Sequence, residues 1–137
     1  MAVESEERIA IESDADVVVA RQRARALAAR LELTSTDQTL LATAISEVAR
    51  NIVLYAPRGE VVLRLTREEG REGIVVTARD EGPGIEDVAL ALQDHFSTGE
   101  GSGLGLPGAR RLMDEFELES GPRGTTVTMR KWASRRA

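Results

Sequence analysis

The segment Asp80-Glu-Gly-Pro-Gly-Ile85, followed by Gly101-Ser-Gly-Leu-Gly-Leu-Pro-Gly108, decides how the rest of this 137-residue chain is interpreted. More than half of the 12 glycines of the chain fall between residues 80 and 108. Glycine loses the most backbone freedom on folding, so this density indicates positive φ angles or a close approach of the backbone to a ligand. We interpret residues 80–108 as a segment that wraps a nucleotide, and a mobile surface loop is the alternative.

Composition and charge exclude several classes of protein. The chain has no cysteine and a single histidine, His95, which excludes disulfides, thiol catalysis and His-rich metal sites. A net charge of −5 argues against general nucleic-acid binding, which relies on basic surface. The only lysine, Lys131, does not follow a glycine-rich loop, so the chain has no P-loop. Because no apolar run has membrane length and no signal peptide is recognisable, we expect one cytoplasmic domain over residues 1–137.

Hydrophobic periodicity predicts helices interleaved with hairpins. The predicted elements are a strand over 7–12, a helix from 15 to about 33 capped by Ser13 or Asp14, a helix capped by Ser35 or Thr36 that runs to about Tyr55, strands over 60–68 and 74–80 joined by a turn over 69–73, a helix over 104–115, and strands over 116–120 and 125–132. This order indicates an α/β fold, a two-layer sandwich whose mixed, mainly antiparallel sheet carries helices on one face.

The second predicted helix carries the first candidate for chemistry. Its core-facing stripe consists of Leu41, Ile45, Val48 and Ile52. Glu47 and Asn51 are four residues apart on one flank beside that stripe, where a carboxylate and a carboxamide lose solvation. Functionally, Asn51 offers an oxygen to Mg²⁺, and Glu47 could accept a proton from an attacking hydroxyl. The alternative is that Glu47 and Arg50 lie on a solvated face of the helix.

Two further candidates lie on predicted strands. Asp80 shares its parity with Ile74, Val76 and Ala78; if those residues face the interior, its carboxylate does too, and an adenine amino group is a natural donor to it. The alternative is that Asp80 lies in a turn and caps a short helical stretch near Glu86. Thr125 shares its parity with inward-facing residues of the last strand and could share a water with Asp80 and the adenine, or be an ordinary strand threonine.

The second glycine cluster precedes the third predicted helix. Backbone N–H groups at a helix N-terminus bind phosphates without a lysine. Gly103 to Gly108 also matches G-x-G-x-x-G, but no strand precedes it, which disfavours a dinucleotide fold. Between the two clusters, Gln93 to Gly99 could close as a lid over the nucleotide.

Taken together, these motifs resemble those of the GHKL ATPases, whose nucleotide-binding domain is the Bergerat fold. Glu47-Val-Ala-Arg-Asn51 matches the N-box, residues 80–84 and 101–106 match the two G boxes, and Gly124-Thr125 matches the terminal threonine motif. The resemblance implies Glu47 as general base, Asn51 as the Mg²⁺ ligand and Asp80 on the adenine amino group. It implies that ATP is bound by Asn51, Asp80, Gly82, Gly84, Ile85, Thr98, Gly101, Ser102, Gly103, Leu104, Gly105, Leu106 and Thr125.

The length of the chain narrows the choice among the members of this family. With 137 residues we expect none of the additional domains of gyrase, MutL or Hsp90, and no phosphoacceptor domain with its own histidine. Stretches such as Ala49-Arg-Asn-Ile-Val-Leu-Tyr55 are most similar to the RsbT class of serine/threonine switch kinases. This class implies STAS-domain partners of the RsbS and RsbR type in a stressosome, and an RsbU-type phosphatase. The alternatives are an anti-sigma factor kinase of the RsbW or SpoIIAB type, which binds a sigma factor, and a non-catalytic module whose shape depends on nucleotide.

Overall fold

The computed structural model describes residues 2–84 and 105–133, which form a sheet layer and a helix layer. Within these residues the elements in chain order are β1 (Ala2–Ile11), α1 (Asp14–Ala28), α2 (Ser35–Tyr55), β2 (Gly59–Glu68), β3 (Arg71–Asp80), α3 (Gly105–Leu112), β4 (Glu115–Gly121) and β5 (Gly124–Trp132).

The described strands form one five-stranded sheet in the order β1-β2-β3-β5-β4. Each neighbouring pair of strands is antiparallel. The sheet was predicted to be mixed and mainly antiparallel, and within the described residues it is entirely antiparallel. Alternate strand residues, such as Leu63 and Val76, join buried residues of all three helices in one hydrophobic core. The helices therefore cover one face of the sheet, and the predicted two-layer α/β sandwich is confirmed.

Helix α2 lies at the centre of this core and contacts both other helices and the sheet. The four residues of its predicted stripe are confirmed as buried, with at most 2% of each exposed: Leu41, Ile45, Val48 and Ile52. Their spacing of three and four residues keeps them on one side of the helix. Residues on the flanks of this stripe are consequently held at defined positions against α3 and the sheet.

The ends of the helices differ from the sequence-based expectations. Helix α1 ends at Ala28, because the N–H groups of Arg30 and Leu31 bond to carbonyls three residues back and tighten the chain. Leu31 is nevertheless buried. The N-cap of α2 is Thr34, not Ser35 or Thr36: its side chain accepts a hydrogen bond from the backbone N–H of Asp37 at 3.0 Å. Ser13 is confirmed as the N-cap of α1.

The two hairpins are confirmed, with turns shorter than predicted. Glu69 and Gly70, with φ angles of 52° and 78°, form the turn between β2 and β3, so β3 begins at Arg71 instead of residue 74. Two consecutive positive φ angles match the right-handed twist of the flanking strands. Pro122 and Arg123 connect β4 to β5. No helix in the described part of the chain combines the length and the apolar character needed to cross a membrane.

Candidate functional site

Glu47 is buried on the flank of α2, with only 6% of its surface exposed. Its Oε1 accepts a hydrogen bond from the Arg50 guanidinium at 3.0 Å, and its Oε2 accepts one from the backbone N–H of Gly105 at 2.8 Å. The alternative interpretation of a solvated helix face is therefore wrong for Glu47. A buried carboxylate is costly unless it is paired and hydrogen-bonded, and Arg50 and Gly105 meet that requirement.

Asn51 lies one helical turn after Glu47 and is half-buried. Among the described residues its side chain has no hydrogen-bond partner. Its carboxamide oxygen is a neutral acceptor, and it lies one turn from a carboxylate that accepts from Arg50 and Gly105. This arrangement fits a cation that takes few protein ligands and obtains the remainder from phosphate and water.

Asp80 lies at the end of β3 and organises the chain that follows it. Its Oδ1 accepts hydrogen bonds from the backbone N–H of Gly82 at 2.9 Å and of Thr125 at 3.1 Å. The bond from Gly82 closes a turn of the kind that aspartate side chains form with the N–H two residues later in the chain. The bond from Thr125 joins this turn to β5. Among the described residues, Oδ2 has no hydrogen-bond partner. Oδ1 thus holds the backbone of both the turn and β5.

The glycines after Asp80 allow this segment to approach its neighbours closely. A Cβ at Gly82 would lie 2.9 Å from the carbonyl oxygen of Tyr55, at the end of α2. Gly84 has a φ of 87°, and a Cβ there would collide with the carbonyl oxygen of Gly121 in the second hairpin. Protein contacts alone therefore require both glycines, and they hold residues 80–84 between α2 and the β4–β5 hairpin.

Thr125 is the buried member of a hydroxyl pair at the start of β5. It is 5% exposed, and its Oγ1 lies 2.8 Å from the Oγ of Ser120, its partner across the hairpin. Sequence analysis missed Ser120 because no motif includes it. The register around the turn of 121–124 was the signal that could have revealed it, since Ser120 and Thr125 flank that turn symmetrically.

The phosphate end is described only from Gly105 onward. Gly105 begins α3 with a φ of 55°, which favours glycine, and its N–H contacts Glu47. Leu106 is 5% exposed and packs in the hydrophobic core. Several predicted positions lie outside the described residues: Ile85, Thr98, Gly101, Ser102, Gly103, Leu104, and the proposed lid over 93–99 with His95.

Helix α2 connects the two described ends of the site. Near its middle Glu47 contacts Gly105, and at its end Tyr55 contacts Gly82. Eight residues of α-helix correspond to about 12 Å at 1.5 Å per residue. Asn51 is midway along this stretch. The described residues hold no group of three or more His, Cys, Asp or Glu that could bind a metal ion.

Comparison with known proteins shows to which family the chain belongs. Residues 11–131 match the model of the family described as "Histidine kinase-like ATPase domain". The chain belongs to this family. The matched range includes Glu47, Asn51, Asp80, Gly105 and Thr125.

The curated relatives of this histidine kinase-like ATPase domain include a stand-alone kinase. Serine/threonine-protein kinase RsbT of Bacillus subtilis is 44% identical over 125 residues, covering 90% of this chain and 94% of the relative. An anti-sigma F factor of Caldanaerobacter subterraneus is 36% identical over 121 residues, covering 85% of each chain. The chain is therefore an enzyme of the RsbT-like serine/threonine kinase class. Its family membership implies that it binds ATP.

Solved structures show the same fold at low sequence identity. The RsbU and RsbW domains of a Mycobacterium tuberculosis protein superpose with a TM-score of 0.68 at 21% identity, covering 97% of this chain and 34% of that one. The mycobacterial sensor histidine kinase MprB gives 0.55 at 22% identity, covering 96% and 100%. These likenesses confirm the predicted fold family.

Proposed function

We propose that this histidine kinase-like ATPase domain transfers the γ-phosphoryl group of ATP to a serine or threonine of a STAS-domain protein in a stressosome-type switching pathway. Once released from that substrate, the kinase would bind and activate an RsbU-type phosphatase. The relative named RsbT supports this proposal because it matches this chain over 94% of its own length. The observation that carries the catalytic part is the placement of Glu47 against Gly105.

Glu47 is the proposed general base. Its carboxylate accepts hydrogen bonds from Arg50 and from the backbone N–H of Gly105. An ionised carboxylate is an acceptor, and as general base it would take the proton of a substrate hydroxyl. Its hydrogen bond from Gly105, the first residue of α3, supports this role, because Gly105 is the last glycine of the sequence motif that we propose as the phosphate site.

The described residues fit ATP at the adenine end. The Oδ2 of Asp80 has no hydrogen-bond partner among the described residues, and the neighbouring Thr125 has a buried hydroxyl. A carboxylate accepts from an amino group, and a hydroxyl can donate or accept. We propose that Asp80 and Thr125 hold the base, with Gly82 and Gly84 keeping the surrounding backbone closely packed. When bound, ATP supplies the phosphoryl group and the charge that the phosphate site must stabilise.

Asn51 is the proposed protein ligand of Mg²⁺. Its carboxamide makes no hydrogen bond to a described residue, and it lies between the contacts of α2 with Gly105 and with Gly82. A magnesium ion would neutralise charge on the transferring phosphoryl group. Asn51 would orient this cation, and Glu47 one turn away would stay free of it.

The relatives named anti-sigma F factor support a second candidate. Several of them are 32–36% identical to this chain. On this alternative the domain would bind a sigma factor and phosphorylate an antagonist STAS protein with the same residues. The chemistry is shared, so only partners distinguish the two candidates.

The decisive experiment incubates the protein with labelled ATP, Mg²⁺ and candidate STAS proteins. We expect label on a STAS serine or threonine with the wild type and none with Glu47→Gln. Glu119→Gln, an exposed carboxylate on β4, is the matched control and should transfer normally. A pull-down then assigns the partners: stable capture of a sigma factor, without a scaffold or phosphatase, would favour the second candidate. Normal transfer by Glu47→Gln would refute the base assignment.

A further inference from the structure

Ser120 adjoins the proposed adenine site although none of the sequence motifs contains it. On β4 it is the register partner of Thr125, and the two hydroxyl oxygens are 2.8 Å apart. Thr125 in turn donates its backbone N–H to Asp80 Oδ1 at 3.1 Å. A continuous series of hydrogen bonds thus runs from Ser120 through Thr125 to Asp80.

The position of Ser120 is restricted from a second direction. A Cβ at Gly84 would lie 3.2 Å from the Ser120 Oγ, so the serine hydroxyl is close to the backbone that follows Asp80. Ser120 is half-buried, and Thr125 is almost completely buried. The serine side chain therefore lies between the threonine hydroxyl and the segment proposed to surround the base.

The chemistry of these groups bears on which base is accepted. An ionised carboxylate only accepts hydrogen bonds, whereas a hydroxyl has one donor and two acceptor positions. Adenine presents an amino donor next to a ring nitrogen that accepts. A 6-oxo purine presents the reverse pattern, a carbonyl acceptor next to a ring N–H. A site that offers an acceptor and then a donor consequently selects adenine.

We propose that Ser120 is a specificity-determining residue that donates its hydroxyl proton to Thr125 Oγ1. The Thr125 O–H is then directed to the adenine ring nitrogen, next to the acceptor Asp80. Ser120 acts through Thr125 and is a positioning residue. This inference rests on the proposed function, because it assumes that Asp80 and Thr125 hold adenine.

The test compares affinities for ATP and inosine triphosphate by calorimetry. Inosine triphosphate has the same ribose and triphosphate as ATP but a 6-oxo purine, so the ratio of the two dissociation constants isolates base recognition. We expect Ser120→Ala to reduce the preference for ATP about three- to tenfold, the worth of one neutral hydrogen bond. Thr126→Ala removes the adjacent hydroxyl, whose side chain alternates to the other face of β5, and should leave the ratio unchanged.

A second comparison separates this role from a merely structural one. In a Thr125→Val background, Ser120→Ala should change the ratio no further, because the hydroxyl it positions is gone. Ser120→Cys, with a thiol that donates weakly, should give an intermediate ratio and remains informative if the alanine variant folds poorly. An unchanged ratio in both serine variants, or equal losses of ATP and inosine triphosphate affinity, would overturn the inference.

Failure of this inference is distinguishable from failure of the proposed function. If the wild-type protein binds neither nucleotide, the adenine site is wrong and both proposals are lost. If the wild type prefers ATP and the serine variants keep the full preference, only the role of Ser120 is lost.

Discussion

The Oε2 of Glu47 on α2 accepts a hydrogen bond at 2.8 Å from the backbone N–H of Gly105, which is 58 residues later in the chain. Arg50 holds the other carboxylate oxygen at 3.0 Å. The proposed base is therefore also a structural link between α2 and the start of α3. Two substitutions of Glu47 are therefore needed. One removes only the group that takes the substrate proton, and the other also removes the acceptor of the Gly105 hydrogen bond.

Glu47→Gln should slow phosphotransfer strongly but preserve most nucleotide affinity. Glutamine keeps a carbonyl oxygen that can accept from Gly105, and it cannot take a proton from the substrate. Loss of general-base help predicts a rate lower by about 10²- to 10⁴-fold. Single-turnover transfer from labelled ATP measures the rate, and calorimetry measures ATP affinity.

Glu47→Ala should lower both the rate of phosphotransfer and the affinity for ATP. It leaves the Gly105 N–H without its acceptor and the Arg50 guanidinium without its anion, and an unsatisfied buried group costs about 1–3 kcal/mol. We expect ATP affinity to fall below that of Glu47→Gln. Equal ATP affinities in the two variants would contradict the structural role of the Gly105 contact.

Asp80→Asn should weaken ATP binding with little loss of stability. The asparagine carbonyl can accept the N–H groups of Gly82 and Thr125 in place of Oδ1, but the outer atom becomes an NH₂ donor facing the adenine amino group. We expect at least about tenfold weaker binding by calorimetry, since a hydrogen bond to a charged group is worth about 1.5–3 kcal/mol. Glu81→Gln, next in the chain and exposed, is the control and should bind ATP normally. Wild-type affinity in Asp80→Asn would exclude the adenine assignment.

Lys131→Met should destabilise the fold. The Lys131 ammonium, whose side chain is 8% exposed, donates to the carbonyl of Leu112 at 2.9 Å and lies 3.6 Å from Asp37 and 3.9 Å from Asp114. It therefore ties β5 to the end of α3 and to the first turn of α2. Removal leaves that carbonyl without its donor, and we expect a loss of about 1–3 kcal/mol in the free energy of unfolding.

Urea denaturation of Lys131→Met should be compared with that of Arg8→Met. Arg8 bonds to Glu60 at 3.1 Å, but its side chain is 57% exposed, and exposed ion pairs contribute less than about 1 kcal/mol. A loss for Lys131→Met no larger than for Arg8→Met would show that the buried ammonium does not hold α3 in place.

Gly84→Ala and Gly70→Ala form a matched pair. Both glycines have positive φ angles, 87° and 78°, so alanine is strained at either position by about 1–2 kcal/mol. Only at Gly84 would the new Cβ also collide, with the Gly121 carbonyl oxygen, whereas nothing lies within 4 Å at Gly70. We expect Gly84→Ala to be the more destabilising and to weaken ATP binding, and Gly70→Ala to bind ATP normally. Thermal unfolding and calorimetry measure both effects.

Most of the fold was predictable because its signals are local. Ile45 and Ile52 on α2 are buried as their helical spacing indicated. Errors concentrated where tertiary contacts compete with local preference. Residues 29–32 have helical composition, yet the chain leaves α1 at Ala28 and buries Leu31 and Leu33 in the core from a turn.

The sequence by itself determined the order of strands and helices, the buried faces and the succession of motifs from Glu47 to Thr125, because each depends on residues close together in the chain. Only the tertiary structure decided which atoms meet. The bonds from Gly105 to Glu47 and from Thr125 to Asp80 join residues 58 and 45 positions apart. Such bonds depend on how α3 packs on α2 and how the second hairpin packs on β3, and no spacing within one element encodes those distances.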